Sequence, residues 1–375
     1  MQVETFQFNG KGWSVQGFPD LDSKDTLIFI FAAPEFINDP APIIELSKHY
    51  SKATIIGCSS AGEIAGPYIS DHSLSVAIMK FEKTAFKVCA KQINSAEASY
   101  QVGKDLVNDL DQDTLCGLIV LSEGLKINGS ELVKGLNTIG KEEVIITGGL
   151  AGDGSTFKQT WIIFNGKIMT NHVIAVGFYG DHIRISHGSG GGWDIFGPER
   201  RITRSKHNVL YELDNKPALS LYKEYLGENA SGLPATGLLF PLSIRHDVSD
   251  QKHLVRTILK VDEETQSLIF AGDMPVGYLA QLMRANFDKL ITGAAEAGQK
   301  VQRHHFRLKN HKGPLLLLAI SCVGRRLLLG ERTDEETELT LGLFPPGAHQ
   351  VGFYSYGELS PYNSGACDLH NQTMT

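Results

Sequence analysis

The sequence predicts a mixed α/β fold of two domains, each with strand–helix–strand units and antiparallel hairpins, and an internal duplication. Three observations favour this fold class. The chain has 375 residues, more than one hydrophobic core usually holds. Short apolar runs alternate with segments of helical periodicity, as in sheets covered by helices. Two segments far apart in the chain end in similar glycine-rich turns.

The strand–helix–strand order is predicted three times. In the first unit, residues 26–31 form a continuous apolar run, typical of a strand buried on both faces. A segment with helical spacing follows at 40–50, and a second strand at 53–57. The corresponding segments are 118–121, 129–139 and 144–147 in the second unit, and 315–322, 334–343 and 350–354 in the third.

The other segments are predicted mainly as hairpins. Asn165-Gly166 favours a turn inside a hairpin at 161–169, which 173–179 continues. Apolar residues on one face predict a long helix at 276–299. Further expectations are a flexible glycine-rich stretch at 187–193, a strand at 209–214, a helix at 217–226, and a hairpin of 254–261 with 267–271. A boundary near residue 200 gives domains 1–200 and 201–375.

Composition excludes several classes of function. The formal net charge of −7 disfavours nucleic acid and anionic membranes as partners. The longest apolar stretch, 315–323, is far shorter than the roughly 20 residues of a membrane span, and no signal peptide is recognised. The five cysteines are widely spaced without a Cys-x-x-Cys motif, which is typical of reduced thiols. We therefore expect a cytoplasmic protein without membrane insertion.

The two glycine-rich turns are the first candidate site. Their glycine, serine and glutamate positions match in register, and the second unit keeps a Gly-acid ending at Gly152-Asp153. Loops beyond the carboxyl ends of buried strands are where open α/β sheets bind ligands. The alternative is an ordinary turn whose acid caps backbone amides. The candidate ligand-binding residues are Gly57, Cys58, Ser59, Ser60, Gly62 and Glu63 in one turn, and Tyr354, Ser355, Tyr356, Gly357 and Glu358 in the other.

Two further features could bind ligands. Arg256 and Arg325 could each clamp a carboxylate, because a guanidinium offers paired donors. For each, the alternative is a salt bridge or a stem that covers apolar surface. Glu63, Asp153 and Glu358 could gather around a hard cation. The matching turns also predict that 57–63 and 352–358 line related or shared pockets.

The sequence resembles the FIST family of prokaryotic sensory proteins in both its N-terminal and C-terminal parts. The resemblance covers nearly the whole chain. The segments that carry it are 56–64, 148–153, 208–214 with Pro217-Ala218, 254–256, 273–277, 321–326 with Leu329-Gly330, and 354–361 with 369–373.

The resemblance implies a ligand-sensing module for signal transduction, with small molecules such as amino acids as ligands. Stand-alone members are similar to nitric-oxide-sensing haemoproteins that control a partner histidine kinase. The resemblance therefore implies haem b as a cofactor, nitric oxide as a ligand and a sensor histidine kinase as a partner. An amino-acid or organic-acid sensor without haem is the alternative.

A haem in this chain would be held without covalent attachment, because no Cys-x-x-Cys-His motif is present. His370 is the first candidate for the axial ligand, since it follows the third glycine turn on a terminal stretch of alternating polarity. His246, His253 and His187 are the alternatives. A hydrogen-bonded histidine that fixes a terminal strand is the competing interpretation of His370.

The sequence predicts that the protein is not an enzyme. Walker A and HExxH motifs are absent, and the turn 57–62 has one residue too many for a Gly-x-Ser-x-Gly nucleophile elbow. The alternative from another class is a hydrolase or transferase that uses the turn at Cys58–Ser60.

Overall fold

Three related units and one antiparallel module form the molecule. The computed structural model describes residues 1–304, 313–362 and 365–375. In the first unit, the sheet order is β1-β6-β2-β3, with β2 and β3 parallel and the other neighbours antiparallel. Its elements are β1 (Gln2–Phe8), β2 (Thr26–Ala32), α1 (Ala41–His49), β3 (Thr54–Ser59), β4 (Glu63–Ala65), β5 (Tyr68–Ser70) and β6 (Leu74–Lys80).

The second unit repeats this topology. Its order is β7-β12-β8-β9, and again the two central strands that flank a helix, β8 and β9, are parallel. Its elements are β7 (Ala85–Gln92), α2 (Ser99–Leu110), β8 (Leu115–Ser122), α3 (Gly129–Leu136), β9 (Ile145–Leu150), β10 (Ile162–Phe164), β11 (Lys167–Met169) and β12 (His172–Tyr179).

An antiparallel module separates the second and third units in sequence. It is an eight-stranded sheet with one helix against it. Its elements are β13 (Trp193–Lys206), β14 (Val209–Leu213), β15 (Lys216–Pro217), α4 (Ala218–Leu226), β16 (Leu242–Arg245), β17 (Leu254–Arg256), β18 (Ile258–Asp262), β19 (Ser267–Phe270) and β20 (Leu279–Ala285).

The third unit is built around the parallel pair β21 and β22. Residues near the end of the chain complete it, because Met374 bridges antiparallel to both Ser321 and Gly190. Its elements are α5 (Phe287–His304), β21 (Leu316–Cys322), α6 (Val323–Leu329), α7 (Thr333–Gly342), β22 (His349–Ser355), β23 (Gly357–Pro361) and β24 (Cys367–His370). All three predicted strand–helix–strand units are confirmed, with ends shifted by a few residues.

The three units are joined in a cycle. The strand that follows each glycine turn leaves its own unit and pairs with the second parallel strand of another unit. Thus β4 of the first unit pairs with β22, β23 of the third pairs with β9, and β10 of the second pairs with β3. Each exchange covers a sheet edge that would otherwise be unpaired.

The repeated glycine of these units has a packing reason. Gly57, Gly148 and Gly352 lie opposite residues of the neighbouring parallel strand. A Cβ at these positions would lie 2.0, 1.9 and 1.8 Å from the carbonyl oxygens of that strand. Only glycine fits such an approach. The repeated glycine in the sequence is therefore explained by the close approach of two parallel strands.

The central core lies between the sheets, and the helices lie outside. Phe29, Phe31, Ile119, Ile174 and Phe353 from all three units belong to one buried cluster. The rings of Phe31 and Phe353 stack at 4.8 Å between centroids. The core that positions the glycine turns is therefore shared by units distant in sequence.

Four expectations from the sequence need correction. Residues 276–299 are not one helix: 279–285 form β20, and α5 begins at Phe287. The apolar spacing of 279–285 suits a helix, but pairing with β13 and β16 overrides that local preference. Asn286 marks the division, since its Oδ1 accepts a hydrogen bond from the Lys289 backbone N–H at 3.2 Å.

The stretch 187–193, expected to be flexible, packs against α5. A Cβ at Gly188 or Gly190 would lie 2.0 or 1.9 Å from carbonyl oxygens of that helix. The other corrections concern connectivity. β12 pairs with β7 and β8 and does not extend the hairpin β10–β11. The repeated unit occurs three times in the chain, whereas the sequence predicted one copy at the end of each half.

Residue 200 lies inside β13, and two of the sheets contain strands from both sides of it. Among the residues that the structure describes, no helix combines the length and apolarity needed to cross a membrane.

Candidate ligand-binding site

The two matching glycine turns are direct neighbours. The backbone N–H of Ala61 donates to the Tyr354 carbonyl, and the N–H of Tyr354 donates to the Gly62 carbonyl, both at 2.9 Å. The cyclic exchange of β4 and β23 brings these turns together. The turns predicted to be related therefore meet in the fold.

Each of these turns buries a glutamate in the same set of contacts. Glu63 Oε2 accepts from the Ser73 backbone N–H at 3.2 Å and from its hydroxyl at 2.8 Å. Glu358 Oε2 accepts from the Thr373 N–H at 3.2 Å and from its hydroxyl at 3.0 Å. Burial raises the pKa of both glutamates to about 8, although these hydrogen bonds act in the opposite direction. Both carboxyls are therefore largely protonated at neutral pH.

Asp153 does not share this arrangement. The register places Ile162 of β10 at the position of Glu63 and Glu358. Asp153 lies on the longer loop before β10 and accepts hydrogen bonds from the Tyr356 hydroxyl and the backbone N–H groups of Lys158 and Gln159. Burial would raise its pKa, but these hydrogen bonds outweigh it and hold the pKa below its ordinary value.

The other turn residues are interior groups with partners. Cys58, Ser59 and Ser60 are fully buried. Burial raises the pKa of the Cys58 thiol well above its ordinary value. The hydroxyl of Ser59 accepts from the Trp161 N–H at 3.1 Å, and that of Ser60 accepts from the Gly62 N–H at 2.8 Å. In this structure these three residues are not exposed to a substrate.

The turn of the third unit is equally enclosed. The hydroxyl of Ser355 donates to Glu358 Oε1 at 2.6 Å, and the hydroxyl of Tyr354 donates to Glu336 Oε1 at 2.5 Å. Gly357 packs against the side chains of Leu150 and Leu369. The two turns therefore form a shared buried polar core.

Arg325 belongs to a closed ionic network. Its side chain is fully buried, and its Nη2 lies 2.7 Å from Glu336 Oε2. The remaining donors contact the carbonyls of Leu290 at 2.6 Å and Gly191 at 2.5 Å. These contacts match the salt bridge that was the alternative for Arg325.

Arg256 lies in a different setting. It is 4% exposed. Its guanidinium donates hydrogen bonds to the carbonyls of Asp273, Val255 and Leu369, each at 3.1 Å. In the described part of the chain it forms no ion pair with a carboxylate. Burial lowers its pKa to about 10, while the charges of Asp273 and Asp368 act in the opposite direction. A buried guanidinium held mainly by carbonyls is a ready partner for a ligand carboxylate.

Lys252 and Asp368 lie beside Arg256. The ammonium of Lys252 contacts Asp368 Oδ1 at 2.5 Å. The other carboxylate oxygen, Oδ2, is buried without a hydrogen-bond partner. Burial raises the pKa of Asp368, although Lys252 and Arg256 oppose this shift. We refer to Arg256, Lys252 and Asp368 as the Arg256 cluster.

His370 borders the Arg256 cluster. Its Nε2 lies 2.9 Å from the Ser360 carbonyl, and its ring stacks with Tyr362 at 6.2 Å between centroids. Burial lowers its pKa to about 3, and the nearby charges of Arg256 and Lys252 act in the same direction. The imidazole is therefore neutral at physiological pH.

The other candidate histidines are dispersed. His187 Nδ1 lies 3.3 Å from the Ser360 hydroxyl, close to His370. His253 Nδ1 lies 3.1 Å from the Ser243 hydroxyl. His246 has a side chain that is 67% exposed and contacts Asp247. Within residues 1–304, 313–362 and 365–375, no three His, Cys, Asp or Glu side chains converge as a metal site, so Glu63, Asp153 and Glu358 do not gather there.

Sequence reasoning missed two members of the Arg256 cluster. The alternation along the terminal stretch places Asp368 on the same face as His370, but Asp368 is not among the predicted site residues. Lys252 carries no comparable signal, because it lies on a polar loop before β17 that reaches β24 only through tertiary packing.

The comparisons with known proteins cover most of the chain. The FIST N domain matches residues 26–216 and the FIST C domain matches residues 218–361. An uncharacterised protein of Methanocaldococcus jannaschii is 25% identical over 344 residues. That match covers 84% of this chain and 62% of the relative's length, so the chain spans less than two thirds of that relative.

A crystal structure of a chorismatase is similar with a TM-score of 0.35 and 9% identity, covering 100% of this chain and 97% of the other. FIST domains are generally small-ligand-sensing domains of signal transduction. The matched segments include most of the three units and the antiparallel module, leaving out β1 and β24, and the chain belongs to the FIST family.

Proposed function

We propose that the protein is a sensor for a small carboxylate-bearing ligand, an amino acid or another organic acid, that binds at the Arg256 cluster. The observation that carries this proposal is the buried guanidinium of Arg256, which donates hydrogen bonds to three carbonyls. A buried charge that forms no ion pair is costly to desolvate. A ligand carboxylate would compensate that cost.

The unpaired oxygen of Asp368 supports the amino-acid version of the proposal. Asp368 Oδ2 is buried and accepts no hydrogen bond. A ligand ammonium would supply one while its carboxylate meets Arg256. An organic acid without an amino group would leave this oxygen unpaired, so the cluster favours a zwitterion.

The test is isothermal titration of the protein with each of the common amino acids and with a set of dicarboxylic acids. For the ligand that binds, we expect Arg256→Met to weaken affinity at least 10-fold, as for loss of a charged hydrogen bond. Arg245→Met is the matched control, because Arg245 lies on neighbouring β16 and pairs with Glu199 instead. Equal affinities for the two variants would place the ligand elsewhere.

A signalling output through a partner histidine kinase is part of the proposal and derives from the family resemblance. A ligand changes an output only if it binds two states of the sensor with different affinity. Autophosphorylation of a co-purified kinase should therefore differ between ligand-free and ligand-saturated sensor. An identical rate in both conditions would remove the kinase from the proposal.

The haem version of the sensor fits the described residues less well. An axial histidine needs a nitrogen that faces an apolar, porphyrin-sized space. Nε2 of His370 instead contacts the Ser360 carbonyl, and the cationic side chains of Arg256 and Lys252 are nearby. Haem b and nitric oxide remain a hypothesis from the resemblance. A Soret band in protein reconstituted with haem, lost in His370→Ala, would favour that hypothesis.

Catalysis at Cys58–Ser60 is not part of the proposal. Those side chains are buried, and both serine hydroxyls have backbone partners. An ester or thioester substrate that is hydrolysed by wild type but not by Cys58→Ala would reverse this assignment.

A further inference from the structure

Unpaired buried polar atoms concentrate in one short segment of the chain. Within the described residues, six buried side-chain oxygen or nitrogen atoms lack a hydrogen-bond partner, and four of them lie on residues 368–372. One belongs to Asp368 in the Arg256 cluster. The other three are Asn371 Oδ1, Gln372 Oε1 and Gln372 Nε2. Each such atom is costly to bury.

The first unit shows what the equivalent positions hold when they are partnered. Ser73 and Thr373 bind the two buried glutamates in the same way, so Asp71 and His72 correspond to Asn371 and Gln372. The backbone agrees, since φ is 55° at His72 and 62° at Gln372. Asp71 pairs with the Arg326 guanidinium at 2.7 and 2.8 Å, and His72 contacts Glu35. In the third unit, the three atoms have no such side-chain partners among the residues that the structure describes.

The place of these amides in the fold is one that α/β proteins use for ligands. Gln372 lies over Gly324, just beyond the carboxyl end of β21 in the parallel pair β21–β22. A Cβ at Gly324 would lie 2.6 to 2.9 Å from the Gln372 amide. The Trp193 indole N–H covers the same residue by donating to the Gln372 carbonyl at 3.0 Å.

We propose that Asn371 and Gln372 form a second binding site, over Gly324, for a small uncharged group that both donates and accepts hydrogen bonds, such as a primary carboxamide. Gln372 offers one donor group and one acceptor, which a carboxamide meets with two antiparallel hydrogen bonds. The second N–H of the ligand carboxamide would donate to Asn371 Oδ1. This oxygen is the unpaired atom of Asn371, because the amide nitrogen of Asn371 already donates to the His370 carbonyl at 3.0 Å. This site goes beyond the proposed carboxylate site and does not depend on it.

Charged groups satisfy the site less completely. A carboxylate has no donor for the oxygens of Asn371 and Gln372. An ammonium has no acceptor for Gln372 Nε2. The ligand needs both a hydrogen-bond donor and an acceptor whichever way the Gln372 amide is turned, because both polar atoms of that amide are unpaired.

The experiment is a thermal-unfolding series with acetamide, acetate and methylammonium at equal concentrations and constant ionic strength. We expect acetamide to raise Tm with saturation in the millimolar range, since a ligand of four heavy atoms binds weakly at best. Acetate and methylammonium should cause no saturable shift. Equal shifts with all three compounds, or none with acetamide, would overturn the proposal.

Variants then assign any acetamide effect to this site. Gln372→Met and Asn371→Leu remove the unpaired atoms and should abolish the shift. Gly324→Ala should also abolish it, because its methyl group would press on the amide. His72→Met, at the equivalent position of the first unit, and Arg256→Met should both retain it. Retention of the shift in Gln372→Met and Asn371→Leu would place acetamide elsewhere.

Discussion

The glycine turns of the first and third units share the contacts of a buried glutamate but differ in the residues that surround these contacts. Both bury a glutamate between a serine three residues earlier and a hydroxyl residue that follows in the chain. Beyond this core, Asp71 of the first unit forms a half-exposed ion pair with Arg326 on α6 of the third unit. The third unit buries Asn371 Oδ1 and both polar side-chain atoms of Gln372 without hydrogen-bond partners among the described residues. The repeat preserves packing, while its outer residues are free to acquire a binding role.

The largest effect should come from the glycines shared by both regions. Gly57→Ala and Gly352→Ala would each place a methyl group within 2.0 Å of a backbone carbonyl oxygen. We expect each to lower the free energy of unfolding by about 4 kcal/mol or more. Urea denaturation measures this. Gly17→Ala is the control, since no atom lies within 4 Å of its Cβ position. Wild-type midpoints for Gly57→Ala or Gly352→Ala would refute the packing explanation.

The buried glutamates should make stability depend on pH. Burial raises their pKa from 4.5 to about 8. Between these values the unfolded chain releases protons that the folded chain keeps, so the free energy of unfolding falls as pH rises and levels off above 8.

Glu63→Gln and Glu358→Gln should each reduce the stability lost between pH 5 and pH 8, by up to about 4 kcal/mol. Urea titrations at the two pH values measure the difference. If only one variant flattens the profile, the two turns are not electrostatically equivalent.

Asn371→Asp tests the outer difference. It introduces the acid of the first unit at a buried position whose side-chain oxygen has no partner among the described residues. We expect a loss of about 3 kcal/mol at pH 8 and a smaller loss at pH 4, where the carboxyl is protonated. Asn371→Leu, which adds no charge, is the control. An equal loss at both pH values would indicate a steric cause.

Asp71→Asn is the reverse exchange and should have the smallest effect. The Asp71 side chain is 60% exposed and that of Arg326 is 23% exposed, so the pair is screened by solvent. We expect a change below about 1 kcal/mol, reduced further by 0.5 M salt. Thermal unfolding with and without salt measures it. A larger, salt-independent loss would make this pair a structural link between the first and third units.

Local sequence patterns identified most regular elements but few contacts of the site. Apolar runs and turn residues located the parallel pairs, and Asn165-Gly166 located a hairpin whose two turn residues have φ of 48° and 75°. The helix prediction for 279–285 is wrong because the apolar spacing of this segment suits a helix as well as a strand. Arg256 and Arg325 are equivalent as candidate carboxylate-binding residues in the sequence, because the sequence does not indicate that Glu336 pairs with Arg325.

The sequence by itself determined the repeated unit, because burial of a parallel strand pair demands apolar runs, and its close approach demands glycine. Tertiary structure alone decided which units exchange strands, and therefore which side chains meet. Asp153 shares a Gly-acid pattern with Glu63, yet a longer loop moves it to a different position. Lys252, Arg256 and Asp368 converge only when β17 of the antiparallel module packs beside β24. Such contacts depend on long-range packing, which local periodicity does not encode.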